Sequence, residues 1–153
     1  ESRYVTDVLS EAEDPEDPLA LSRHAVPRGV EVFEVRGAFF FGAAARFREA
    51  LEQVDRQPKV LILRLRHVLA IDATGLRAVA LLLDECRRKG TALVLSGVHA
   101  QPLAALERSG LLERIGAENA LPDIDSALAR AAELLRPAAA NPGDDEADAR
   151  AAS

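Results

Sequence analysis

Residues 59–76 read Lys59-Val60-Leu61-Ile62-Leu63-Arg64-Leu65-Arg66-His67-Val68-Leu69-Ala70-Ile71-Asp72-Ala73-Thr74-Gly75-Leu76, and this stretch decides the fold. The uninterrupted apolar run Val60-Leu61-Ile62-Leu63 predicts a strand covered on both faces, in the middle of a sheet. The run then alternates as Arg64-Leu65-Arg66, which predicts a strand leaving the core at its far end over residues 59–67. A new period begins beyond Asp72, where Leu76, Val79, Leu83 and Cys86 recur at helical spacing. A helix over residues 73–89 follows, with Asp72 as its capping residue, the cations Arg87, Arg88 and Lys89 in its last turn and Gly90 just past its end. A buried strand feeding a capped amphipathic helix is the repeating unit of an α/β sheet protein.

The same unit continues on both sides. Residues 91–95 form another buried strand. Residues 101–109 form a short helix with Pro102 at its first position and Gly110 beyond its end, and Leu111-Leu112 opens a further turn. Residues 115–122 read as a last short strand or a loop, and residues 123–135 as a helix burying Ile124, Leu128, Ala131 and Leu135. Upstream, Phe47, Leu51 and Val54 mark an amphipathic helix from Ala43 that Pro58 ends. Residues 20–26 and 29–36 lean to β structure and are joined by Pro27-Arg28-Gly29, so an antiparallel hairpin is expected. Its second strand breaks strict alternation at Val32-Phe33, which implies a bulge or two covered faces. The element order is β β α β α β α (β) α: an α/β sandwich with a mixed central sheet and helices mainly on one face.

The chain has 153 residues, 48% hydrophobic and 29% charged, which suits one domain with a substantial core. Its longest apolar runs, residues 38–45 and 78–83, fall far short of the roughly 20 residues that cross a bilayer. A single cysteine, Cys86, excludes an intrachain disulfide framework and points to a reducing compartment. The chain contains no methionine and starts at Glu1, so a fragment of a longer protein is expected. Charge marks the boundaries: residues 1–18 carry seven acids and one base, residues 137–153 four acids and one base, and residues 19–136 fourteen acids and seventeen bases. The expected organisation is an acidic linker (1–18), a folded domain (19–136) and a disordered acidic tail (137–153). A net charge of −6 and 4% aromatic residues exclude the electrostatic footprint and stacking platforms of a nucleic-acid binder.

No cluster for catalysis emerges. His24, His67 and His99 are too scattered for a local metal motif, and they read as ordinary surface or strand-end histidines. Ser96-Gly97-Val98-His99 reads as a loop, without the strand-to-helix elbow of a nucleophilic serine. No Gly-rich phosphate cradle is present, and no cofactor is expected. Cys86 lies on an apolar stripe, where a buried and unreactive thiol is the expectation. The feature that stands out is the loop ending in Asp72-Ala73-Thr74-Gly75, a helix start beside the end of a strand, which is where α/β proteins place switch or ligand sites.

Ile71-Asp72-Ala73-Thr74-Gly75-Leu76, following an apolar strand, resembles the D-S/A-S/T-G-L signature of STAS domains, which occur in anti-sigma-factor antagonists and at the cytoplasmic ends of SulP anion transporters. Arg36-Gly37-Ala38-Phe39-Phe40-Phe41-Gly42-Ala43-Ala44 is similar to the G-x-[LF]-F-F-G-x-A stretch of the SulP branch. Residues 111–116 through 122–124 resemble its C-terminal run, and residues 4–9 resemble the segment just after the last SulP membrane span. The likeness covers about residues 20–135.

What the resemblance implies is a STAS-type fold without enzymatic activity, lying on the cytoplasmic side of the cell membrane as part of an integral membrane protein. Its implied partners are the transmembrane domain of the same chain, a second protomer and a cytoplasmic regulatory protein. Its implied role is support of folding, dimer assembly and regulation of anion transport. The site residues implied are the switch loop and helix start, Asp72, Ala73, Thr74 and Gly75, together with an interaction surface at Phe39, Phe40, Phe41 and Gly42. One departure matters. The residue after the aspartate is the phosphorylated serine of the sigma-regulating branch, and here it is Ala73, which has no hydroxyl. The alternative reading, a free-standing anti-sigma-factor antagonist binding a kinase partner, therefore lacks its usual phosphoacceptor.

Overall fold

The computed structural model describes residues 26–36 and 57–136. Its centre is a sheet of four parallel strands in the spatial order β1-β2-β3-β4: β1 Val30–Arg36, β2 Val60–His67, β3 Ala92–Ser96 and the two-residue β4 Ala120–Leu121. Val30 lies opposite Val60, and Val60 opposite Ala92, so the three long strands start at one edge of the sheet and end at the other. The helices are α1 Ala73–Arg88, α2 Ala100–Arg108, α3 Leu111–Ile115 and α4 Ile124–Leu135, with a 3₁₀ turn at Ala117–Asn119.

Alternation along the strands divides the core in two. Phe33, Val35, Leu61, Leu63, Leu65, Leu93 and Leu95 face α1, α2 and α3 and pack with Val79, Leu82, Leu83, Cys86, Leu106, Leu111 and Ile115. The intervening residues Val30, Val32, Val60, Ile62 and Val94 face α4 and pack with Ile124, Ala127 and Ala131. Three of the four described helices thus share one face, and α4 covers the other. The broken alternation at Val32-Phe33 has its explanation here: both faces of β1 are buried, and the register irregularity falls later, between Glu34 and Arg36.

Several expectations are corrected. β2 does not leave the core after Leu63: Arg64 is 1% exposed and Leu65 fully buried, and the strand reaches solvent only at its last two residues. Arg64 lies opposite Glu34 of the neighbouring strand, itself fully buried, a pairing across strands that local alternation does not read. α2 starts at Ala100, which makes Pro102 its third residue; a missing N–H is harmless there too, because the first four helical N–H groups have no partner within the helix. Along α4 the buried positions are Ile124, Ala127 and Ala131, while Leu128 and Leu135 are only partly covered. Residues 115–122 contain the 3₁₀ turn and then β4.

A turn is present at Pro27-Arg28-Gly29, where the hairpin is expected, with Val30 N donating to Pro27 O at 3.2 Å. Its partner strand lies outside the described residues except for Val26, which is buried and not in a strand. The expected helix from Ala43, the surface Phe39-Phe40-Phe41-Gly42, and the 1–18 and 137–153 segments also lie outside them. No helix among the described residues is long and apolar enough to cross a membrane.

Candidate functional site

The parallel strands deliver the β2–α1 loop and the β3–α2 loop to the same edge of the sheet, where α1 and α2 begin. Val68 and Ile71 point inward and are buried, and Val68 N donates to Leu65 O at 2.9 Å. Between these anchors Leu69 is 70% exposed, an unusual place for a large apolar side chain. Asp72 is the N-cap of α1: extended in backbone, it accepts from Gly75 N at 2.9 Å through Oδ1, and its own carbonyl accepts from Leu76 N. Ala73 and Thr74 are exposed, while Gly75 is buried.

The loop is held from the side by the start of α2. Gln101 clamps Ile71 as a neighbouring strand would, accepting from Ile71 N at 2.8 Å and donating to Ile71 O at 3.2 Å. His99 Nε2 donates to Arg66 O at 2.6 Å; a carbonyl only accepts, so this nitrogen carries the proton. The two contacts tie both ends of the segment that carries Leu69. Beneath it, the buried Glu34 carboxylate accepts from Arg66 Nε at 2.5 Å, and His67 Nε2 lies 3.4 Å from the same oxygen. Such a set holds backbone in place. It pairs no nucleophile with a base.

Sequence reasoning located Asp72 and its cap. It missed Gln101 and His99, whose bonds span about thirty residues and leave no periodic trace, and it missed the burial of Glu34. Cys86 is buried as expected, and its thiol is pushed up to about 12 mainly by that burial, so it stays protonated and unreactive at neutral pH.

The STAS domain family profile matches residues 24–131, a span that includes the strand, loop and capped helix just described. The chain is a STAS domain. Among solved structures this STAS domain is similar to a sulfate transporter family protein from Wolinella succinogenes, with 45% identity and a TM-score of 0.74, covering 78% of this chain and 98% of that one. It is also similar to the SulP transporter STAS domain from Vibrio cholerae, with 28% identity and a TM-score of 0.66, covering 74% and 91% of the two chains. Among curated proteins it is 26% identical over 113 residues to the Bacillus subtilis (strain 168) protein named "Putative sulfate transporter YvdB". That alignment covers 73% of the STAS domain and 19% of YvdB, so the domain spans about a fifth of its relative's length.

Proposed function

We propose that this STAS domain is the cytoplasmic regulatory and assembly module of a SulP-type secondary anion transporter, acting by binding and without chemistry of its own. The observation that carries the reading is the 45% identity to the Wolinella domain over nearly all of that chain. The geometry supports it: the edge that carries Asp72, Ala73, Thr74 and Gly75 is a clamped loop with an exposed Leu69, suited to contact with another protein surface. The partners are the transmembrane part of the same protein and a second protomer, with a cytoplasmic regulatory protein as a further one. Phe39, Phe40, Phe41 and Gly42, outside the described residues, are a second proposed contact segment. The anion is coordinated in the membrane part, so the STAS domain supports transport and does not select the ion.

The test is anion uptake by the parent transporter in reconstituted vesicles, with its membrane abundance measured alongside. Deleting residues 20–135 should reduce assembly or uptake and leave the order of preferred anions unchanged. Full uptake at normal abundance, or a new preferred anion, contradicts the proposal. A kinase-based switch is tested separately: with ATP and an anti-sigma kinase, the wild-type chain should gain no phosphate at Ala73, whereas Ala73→Ser restores the acceptor oxygen. Stoichiometric labelling of wild-type Thr74 would favour the antagonist reading.

A further inference from the structure

The opposite edge of the sheet, where the strands begin, is strongly basic. Arg28 precedes β1, Lys59 precedes β2, and Arg87, Arg88 and Lys89 end α1 ahead of β3. Backbone bonds draw these segments together: Lys59 N donates to Gly29 O at 2.8 Å and Ala92 N to Lys59 O at 2.9 Å. The end of α4 arrives at the same place, because a methyl group added to Gly29 would lie 3.6 Å from Leu135 Cδ2 and 3.7 Å from Lys59 Cγ. Arg136, exposed, follows directly.

Among the described residues, little neutralises the charge of Arg28, Lys59 and Arg136. Glu85 serves both Arg88 and Lys89, and Arg87 donates to the Arg114 carbonyl, which carries no charge. Among the described residues Arg28, Lys59 and Arg136 form no ion pair. A concentration of cations on one edge of a chain whose net charge is −6 fits an anionic occupant.

We infer that this basic edge is a docking surface and that its occupant is the acidic C-terminal segment of the same chain. Residues 137–153 follow Arg136, on the edge itself, and carry Asp144, Asp145, Glu146 and Asp148 against a single base, Arg150. Residues 137–143 separate Arg136 from the first of these acids, a reach of up to about 24 Å when extended, enough to cross a sheet edge of three strands spaced about 4.8 Å apart. The association is electrostatic: the Debye length is about 30 Å at 0.01 M salt and about 3 Å at 1 M, so low salt favours it and high salt releases it. This inference does not depend on the transporter reading.

The test uses the whole 153-residue chain with a nitroxide label on Ser153→Cys. Cys86 escapes labelling because it is buried and its thiol is pushed up to about 12. At about 0.01 M salt the NMR amide signals of Gly29, Lys59 and Gly90 should lose intensity selectively, while those of Leu69, Ala70 and Thr74 at the far edge keep it. Raising the salt to about 1 M should restore the lost signals. Neutralising the segment with Asp144→Asn, Asp145→Asn, Glu146→Gln and Asp148→Asn should abolish the effect in a fold left intact. Equal broadening at both edges, or broadening that survives high salt or neutralisation, overturns the proposal. Vesicles of phosphatidylglycerol provide the competing occupant: the neutralised chain should bind them several-fold more tightly than wild type, and equal binding by the two chains also counts against the proposal.

Discussion

The two faces of the sheet are built from different side chains. On the α1–α3 face leucines and Phe33 fill the space between helix and sheet; on the α4 face valines meet Ala127 and Ala131, both fully buried one turn apart. An alanine contributes nothing beyond Cβ, so α4 rests on the valines with its backbone close to the sheet, while α1 stands off by the length of its leucines. One sheet thus uses two packing solutions, which should fail in opposite ways: the first by loss of volume, the second by excess of it.

The largest effect is expected from Leu83→Ala. Leu83 is buried mid-helix against the leucine layer, and its removal leaves a cavity that neighbours anchored in strands fill poorly, at a cost of about 2 to 5 kcal/mol. Chemical denaturation measures it, and a change within error would place Leu83 outside the load of that face. The mirror experiment is Ala127→Leu. The added methylene and methyl groups have no room between α4 and the valines, so a loss of about 1 to 3 kcal/mol is expected. A gain in stability would show that α4 is under-packed and erase the contrast.

How far these faces were legible follows from the same chemistry. The α1 stripe of Val79, Leu83 and Cys86 stands out because large apolar residues at helical spacing are the signal that periodicity reads. Along α4 the sequence pattern picks out Ile124 and Ala131, which are buried, but favours Leu128 and Leu135 over Ala127, because hydrophobicity ranks leucine above alanine and close helix approach is invisible in one sequence. Arg64 was placed in solvent for a similar reason. It lies opposite the buried Glu34 of the next strand, and strand pairing is a non-local property. At the candidate site the Asp72 cap was readable, since donor and acceptor lie three residues apart, while the Gln101 clamp to Ile71 bridges thirty.

Both faces start their helix with an aspartate, which gives a finer comparison. Asp72 accepts from Gly75 N and Asp123 from Ser126 N at 2.7 Å. Each replacement by alanine should cost about 0.5 to 2 kcal/mol. Their side effects should differ. Asp72→Ala also frees the start of α1 beside the clamped loop, so amide exchange at Leu69 and Ala70 should accelerate, whereas Asp123→Ala should leave those amides unchanged. Equal acceleration by the two variants would mean that the loop is controlled by global stability and not by its local anchors.

The smallest effects are expected from pH. On the α1 side the hydrogen bond from Arg88, with further help from Lys89, holds the Glu85 carboxyl below its ordinary value of 4.5; at α4 the Ser126 backbone N–H holds Asp123 below 3.8. A depressed folded-state pKa means that the unfolded chain binds the proton first. The stability these groups contribute is therefore present above their ordinary values and disappears as pH falls through the lowered ones. Cys86 works at the alkaline end with the opposite sign. Its thiol is raised from 9.0 to about 12 by burial, so the unfolded chain ionises first, and stability should decline as pH rises from about 9 towards 12. Denaturation midpoints across this range should show both slopes. Glu85→Gln and Asp123→Asn should each flatten part of the acid limb, and Cys86→Ala should flatten the alkaline one at the expense of a small cavity. An alkaline limb unchanged in Cys86→Ala would assign that slope to groups other than this thiol.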